Sequence, residues 1–144
     1  MEIKLFKSVL FLSIVGFWMS SCATSKISKD NILFNTRWEL ESMSNTGSNF
    51  EQLFAQKIPF LKFNYAENTV FGNNGCNGYS AEYVIKNQSI KFGEPGPSTK
   101  MYCGEGESKF LEAMIKIDGY KIGSGGKLIL MQGMEEVLVF RHSS

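Results

Sequence analysis

Side chains able to do chemistry are few in this 144-residue chain. The single histidine, His142, stands near the C-terminus, where a tail residue is expected rather than a general base. Aspartate occurs only at Asp30 and Asp118, so a Ser-His-Asp arrangement has little to draw on. Glu82, Glu105, Glu107 and Glu112 could pair for acid–base work, yet placement on the surface accounts for them equally. "GEPGPSTK" has the glycines of a phosphate loop but lacks its Gly-Lys-Ser/Thr ending. The expectation is a protein that is not an enzyme and holds no cofactor.

The three cysteines carry more information. Lys4 and Lys7 precede the apolar run "SVLFLSIVGFWM", which is shorter than the roughly 20 residues of a membrane span and fits an export signal over residues 1–21. "MSSC" then resembles a bacterial lipobox, which predicts lipidation of Cys22 as the new N-terminus. The following "ATSKISKDN" is too poor in apolar residues to pack, so residues 22–35 read as a lipidated cysteine and a polar tether. With Cys22 acylated, Cys76 and Cys103 remain, and an exported compartment permits a disulfide between them. The rival is a pair of reduced, buried thiols. Two separated cysteines without a CxxC or clustered histidines argue against a metal site.

Without its signal the chain keeps about 120 residues, enough for one domain spanning 36–142. Removing Lys4, Lys7 and Glu2 leaves 13 basic and 13 acidic side chains. That balance is wrong for a nucleic-acid binder, whose affinity comes mainly from neutralising phosphates.

Residues that could be brought together need elements to position them. "TRWELESM", "IPFLKFNY", "TVFG", "GYSAEYVI", "SIKFG", "YKIG", "KLILMQ" and "EVLVFRH" alternate apolar and polar residues, as half-buried strands do. Gly125-Gly126 marks a two-residue hairpin, and "GMEE" a second joint. In "ESKFLEAMIKI", Phe110, Leu111, Met114 and Ile115 recur at helical spacing, with Gly119 beyond as a terminator. "SNFEQLFAQK" predicts a shorter helical turn. Trp38 is expected in the core against Phe110, Leu111 and Met114. Two segments fit neither pattern: "FGNNGCNGYSAEY", a glycine- and asparagine-rich bend, and "FGEPGPSTKMYCGEG", a crossing expected to carry Met101 and Cys103 to the core.

With Trp38 in the first strand, Gly75-Cys76-Asn77 followed by Tyr79 and Tyr83, and Thr99, Met101 and Cys103 before a helix, the chain resembles the META domain family, which includes bacterial heat-shock proteins of the HslJ type. Gly78 departs from the pattern, since many relatives carry a larger residue there. The resemblance implies a mainly β (α+β) fold, a small conical antiparallel β-barrel with one packed helix, and no catalytic activity. It implies an envelope lipoprotein, linked to stress tolerance, with Asn77 turned toward the "TKMYC" crossing and Gly75 and Gly78 giving the bend its backbone freedom.

Two functions are consistent with these expectations. One is a lipid-anchored protein, on the outer membrane and facing the periplasm, that binds or stabilises an envelope component. The other is a carrier holding a small apolar ligand or lipid in the barrel mouth. Filling of the interior by helix side chains favours the first; an open cavity favours the second.

Overall fold

A computed structural model describes residues 32–44, 46 and 50–143. The expected signal, Cys22 and the tether up to Asn31 lie outside them.

Eight strands follow one another: β1 (Arg37–Met43), β2 (Phe60–Asn64), β3 (Thr69–Asn73), β4 (Gly78–Lys86), β5 (Ser89–Phe92), β6 (Gly119–Ile122), β7 (Leu128–Gln132) and β8 (Glu135–Ser143). They form one antiparallel sheet in the order β5-β4-β3-β2-β1-β8-β7-β6. The alternation seen in the sequence sets the faces. In β4, Tyr79, Ala81 and Tyr83 are buried while Gly78, Ser80, Glu82 and Val84 are exposed, because successive side chains on a strand point to opposite sides. In β2 the inward pair is Leu61 and Phe63; Tyr65 falls beyond the strand and is exposed.

Two irregularities override simple alternation. The β1–β8 register shifts between Leu40 and Ser42, which turns Met43 rather than Ser42 into the core. The β7–β8 register shifts at Leu130/Met131, and Val137 and Leu138 become buried in succession. Each behaves as a β-bulge, an extra residue that re-aims the side chains beyond it. Asn87-Gln88 links β4 to β5 as the sequence suggests, with Asn87 at φ 59°; the other two joints differ. The Gly125-Gly126 loop is longer than two residues, running over 123–127 with a 3₁₀ turn. The tight joint is instead Gly133-Met134, with Gly133 at φ 59°.

Helix α1 (Phe50–Leu53) is a single turn and α2 (Gly106–Lys116) the one helix of length among the described residues. On α2 the buried residues are Gly106, Phe110 and Met114. Leu111 is only partly buried and Ile115 is exposed, whereas Ile117, just past the helix, is buried. The inward stripe is thus spaced at i, i+4, i+8, narrower than the expected face, because the helix meets the sheet along one line. Gly119 begins β6 and does not terminate α2. Trp38 shares one buried cluster with Phe110 and Met114.

A closed barrel was expected, and strand pairing does not provide one. β5 and β6 are the ends of the sheet. They meet through two backbone bonds, Ile90 N–H to Asp118 O (3.3 Å) and Tyr120 N–H to Gln88 O (3.0 Å). The overlap is short because each of these strands has four residues. The folded region also starts earlier than residue 36. Leu33 is fully buried and its carbonyl accepts the Trp38 indole N–H at 3.0 Å, so the end of the expected tether is part of the core. His142 is no tail residue either; it pairs with Trp38 in the β1–β8 ladder.

Candidate functional site

The bend between β3 and β4 is built by its own asparagines. Asn73 Oδ1 accepts the Gly75 N–H (2.7 Å), and Asn74 Oδ1 accepts the N–H groups of Cys76 (3.1 Å) and Asn77 (2.7 Å). The Asn73 side-chain amide and the Asn74 N–H both donate to Asn77 O, at 2.8 and 3.1 Å. Short polar side chains that bond their own backbone in this way replace the ladder where the chain reverses. Gly75 sits at φ 98°, and a Cβ there would lie 2.7 Å from the Phe54 ring. Conformation and space both demand glycine. Gly78 is different: its φ is not positive and a Cβ would meet nothing within 4 Å. It gives the bend no special freedom, and the larger residue of relatives would fit.

Asn77 is the centre of the junction. Its Oδ1 accepts the Met101 N–H and the Thr99 hydroxyl, both at 3.0 Å. Its Nδ2 donates to Met101 O at 2.8 Å and to the Glu107 carboxylate at 2.9 and 3.0 Å. The amide therefore pairs with the Met101 backbone as a strand neighbour would, one donor and one acceptor in register. Its orientation is fixed by this network, since the flipped amide would face N–H with NH₂. Asn74 Nδ2 reaches the same carboxylate at 2.6 Å. Glu107 lies in the first turn of α2, where a negative charge is favoured by the helix dipole.

The covalent link beside this network is the Cys76–Cys103 disulfide, with a Cα separation of 5.6 Å, within the usual range. Cys76 Sγ also lies 3.1 Å from Met101 O, a contact and not a hydrogen bond, because a disulfide sulfur carries no proton. The helix start is held close as well: a Cβ on Gly106 would fall 2.3 Å from Leu53 O, so only glycine lets α2 approach α1.

Asn73, Asn74 and Asn77 are buried, and among the described residues no buried side-chain nitrogen or oxygen lacks a partner. Buried amides left unpaired would be costly, so the junction is rigid because every group is used. Chemically it holds structure: acceptors and donors are spent on one another, and the disulfide is its redox-active bond.

Of the residues singled out in the sequence, Gly75, Cys76, Asn77, Thr99, Met101 and Cys103 come together here. Tyr79 and Trp38 do not; they are core residues, Tyr79 packing edge-on against Phe110 at 5.8 Å. Burial pushes the Tyr79 phenol well above the usual tyrosine range. The expectation that the crossing carries Met101 into the core fails for its side chain, which is 60 % exposed. Its backbone is what the junction uses, and a main-chain contact places no demand on where the side chain points. The four glutamates do not act as a set: Glu105 faces Lys109 at 3.6 Å, Glu82 lies opposite Thr69 in the β3–β4 ladder, Glu112 lines a groove beside α2, and Glu107 alone enters the junction. Among the described residues no group of three or more His, Cys, Asp or Glu is placed to hold a metal. Sequence reasoning did not single out Asn73 or Asn74, and it named Glu107 only as an acid–base or surface carboxylate. The signals present were the asparagine run itself and an acidic residue opening a helix.

A META domain model matches residues 31–144. The chain belongs to the META domain family. No curated protein matches it. Among solved structures, an NMR structure of a protein from Burkholderia xenovorans superposes with a TM-score of 0.63 at 23 % identity, covering 81 % of this chain and 88 % of that one. At that identity the likeness concerns the fold.

Proposed function

We propose that this protein is a non-catalytic envelope lipoprotein, anchored through Cys22 on the outer membrane and facing the periplasm, that docks another envelope component through the stapled crossing. The observation that carries this reading is the exposure of Met101 and Tyr102, 60 % and 85 %, on a segment whose backbone is bonded to Asn77 and whose next residue is cysteine-linked to the bend. Exposed apolar side chains on a preorganised backbone lose little entropy when a partner covers them. The sheet interior weighs against the carrier alternative, because Phe110 and Met114 of α2 occupy it. The groove beside α2 has a volume of ≈ 140 Å³ and is lined by Lys109, Glu112, Lys116, Gln132 and Glu135 among others. Small-molecule sites are typically about 300–1,000 Å³ and mainly apolar. A role in stress tolerance fits this reading through the family resemblance.

A photo-crosslinking residue at position 102, in the protein expressed in its own envelope, tests the docking. A discrete adduct at 102 that is absent with the crosslinker at Met134, and that is lost in Met101→Ala, supports the proposal. Identical adduct patterns at 102 and 134 overturn it. Intact mass of the purified protein tests the anchor: acylation at Cys22 is expected, and a soluble chain without acyl mass overturns that part.

A further inference from the structure

The end of the sheet opposite the junction carries a second exposed apolar group. Asn64 and Thr69 pair at one end of the β2–β3 ladder, while Phe60 and Asn73 pair at the other, next to the bend. At the Asn64–Thr69 end the Tyr65 ring lies 4.9 Å from the ring of Phe34, and Tyr65 is 71 % exposed. Residues 32–34 form a helical turn, so Ile32, which is 40 % exposed, lies on a different side from Phe34. Nothing in the core needs Tyr65 here, for it sits past the end of β2 in a turn.

Chain length decides what covers this group. Ile32 is the first described residue, and nine residues separate it from Cys22. Even fully extended, that stretch cannot exceed about 35 Å. With Cys22 acylated, the point where the chain enters the domain is held within that distance of the bilayer, which lets this end rest on it. Tyrosine is enriched at the headgroup level, where its ring finds an apolar neighbour and its hydroxyl finds water. At the tip itself the turn carries Glu67, which accepts a bond from the Asn64 amide at 3.0 Å, while the basic residues Lys26 and Lys29 belong to the tether. We infer that Phe34 and Tyr65 form a membrane-resting contact that seats the domain on the lipid interface and turns the stapled crossing away from it. This inference rests on the anchored-lipoprotein reading above. It adds the orientation, with an apolar and aromatic contact in place of an electrostatic one.

The test uses the full-length chain reconstituted into vesicles of phosphatidylethanolamine and anionic phosphatidylglycerol carrying a nitroxide on the headgroup. A bimane label is placed through Tyr65→Cys in one sample and Tyr102→Cys in another, with the native disulfide intact. Quenching several-fold stronger at position 65 than at 102, and unchanged by high salt, is the expected result. Equal quenching at both positions, or stronger quenching at 102, overturns the orientation. So does quenching at 65 that salt abolishes, which marks electrostatic attraction. Acyl mass and vesicle flotation of the same samples separate the two claims. An acylated, floating protein with equal quenching removes the orientation alone; a chain that neither carries acyl mass nor floats removes both.

Discussion

The core around Trp38 and the junction around Asn77 are both buried, yet they are held by different physics. In the core, Trp38, Leu40, Leu61, Phe110, Met114, Leu130, Leu138 and Phe140 exclude water by area and shape. In the junction, three asparagines and a carboxylate satisfy one another through bonds fixed to a few tenths of an ångström. A core side chain is valued for volume and tolerates a neighbour of similar size. A junction side chain is valued for the position of single atoms, and an isosteric change of one atom is enough to disturb it.

The largest effect is expected in the core. Phe110→Ala empties a fully buried site between α2 and the sheet, and should cost about 3–5 kcal/mol. Chemical denaturation reads it directly; a loss within about 0.5 kcal/mol, the scale of surface changes, would detach α2 from the core. Next comes the covalent part of the junction. The disulfide closes a separation of 27 residues, so Cys76→Ser with Cys103→Ser should lower stability by about 3–4 kcal/mol through loop-closure entropy. Amide exchange at Met101 sharpens this. Protection that survives loss of the disulfide shows that Asn77 holds the crossing by itself, and protection that vanishes shows the opposite.

A smaller, pH-dependent effect separates the two regions most cleanly. Asn77→Asp keeps the shape but sets a second carboxylate where Nδ2 now meets Glu107. Two carboxylates sharing a site raise the folded pKa of one of them. The folded state then binds more protons than the unfolded state near neutrality, so the variant's stability falls as pH rises and recovers toward acid. The expected loss at neutral pH is about 1–3 kcal/mol. A loss of equal size at acid and neutral pH would mean that charge is not the cause. The smallest change is Thr99→Val, which removes one bond to Asn77 Oδ1 and leaves the Met101 N–H in place. About 1 kcal/mol is expected, with the crosslinking pattern at position 102 unchanged.

The two regions also differ in how legible they were. Alternation in "GYSAEYVI" placed Tyr79, Ala81 and Tyr83 on the inner face, because a strand has a period of two whatever surrounds it. Strict alternation does not extend through Met43 or the Val137-Leu138 pair, where bulges add a residue that no local pattern announces. The expected α2 face reached Ile115, since helical period gives the angle of a stripe but not the width of the surface it packs against. At the junction, residue types told of a bend, and the compartment implied by the export signal told of a permitted disulfide. Neither told that Glu107, thirty residues from Asn77, would complete the network.

By itself the sequence determined the strands and the helix, a glycine-bearing bend at 72–78, and the pair of cysteines available to be joined. These come from properties a residue carries with it: side-chain period, steric access to positive φ, and thiol chemistry. Tertiary structure alone decided that Leu33 belongs to the core, that the sheet ends touch without a ladder between them, and that Met101 serves the fold with its backbone while its side chain faces outward. Those outcomes depend on distances between segments far apart in the chain, and hydrogen bonds act only where such distances have closed to about 3 Å.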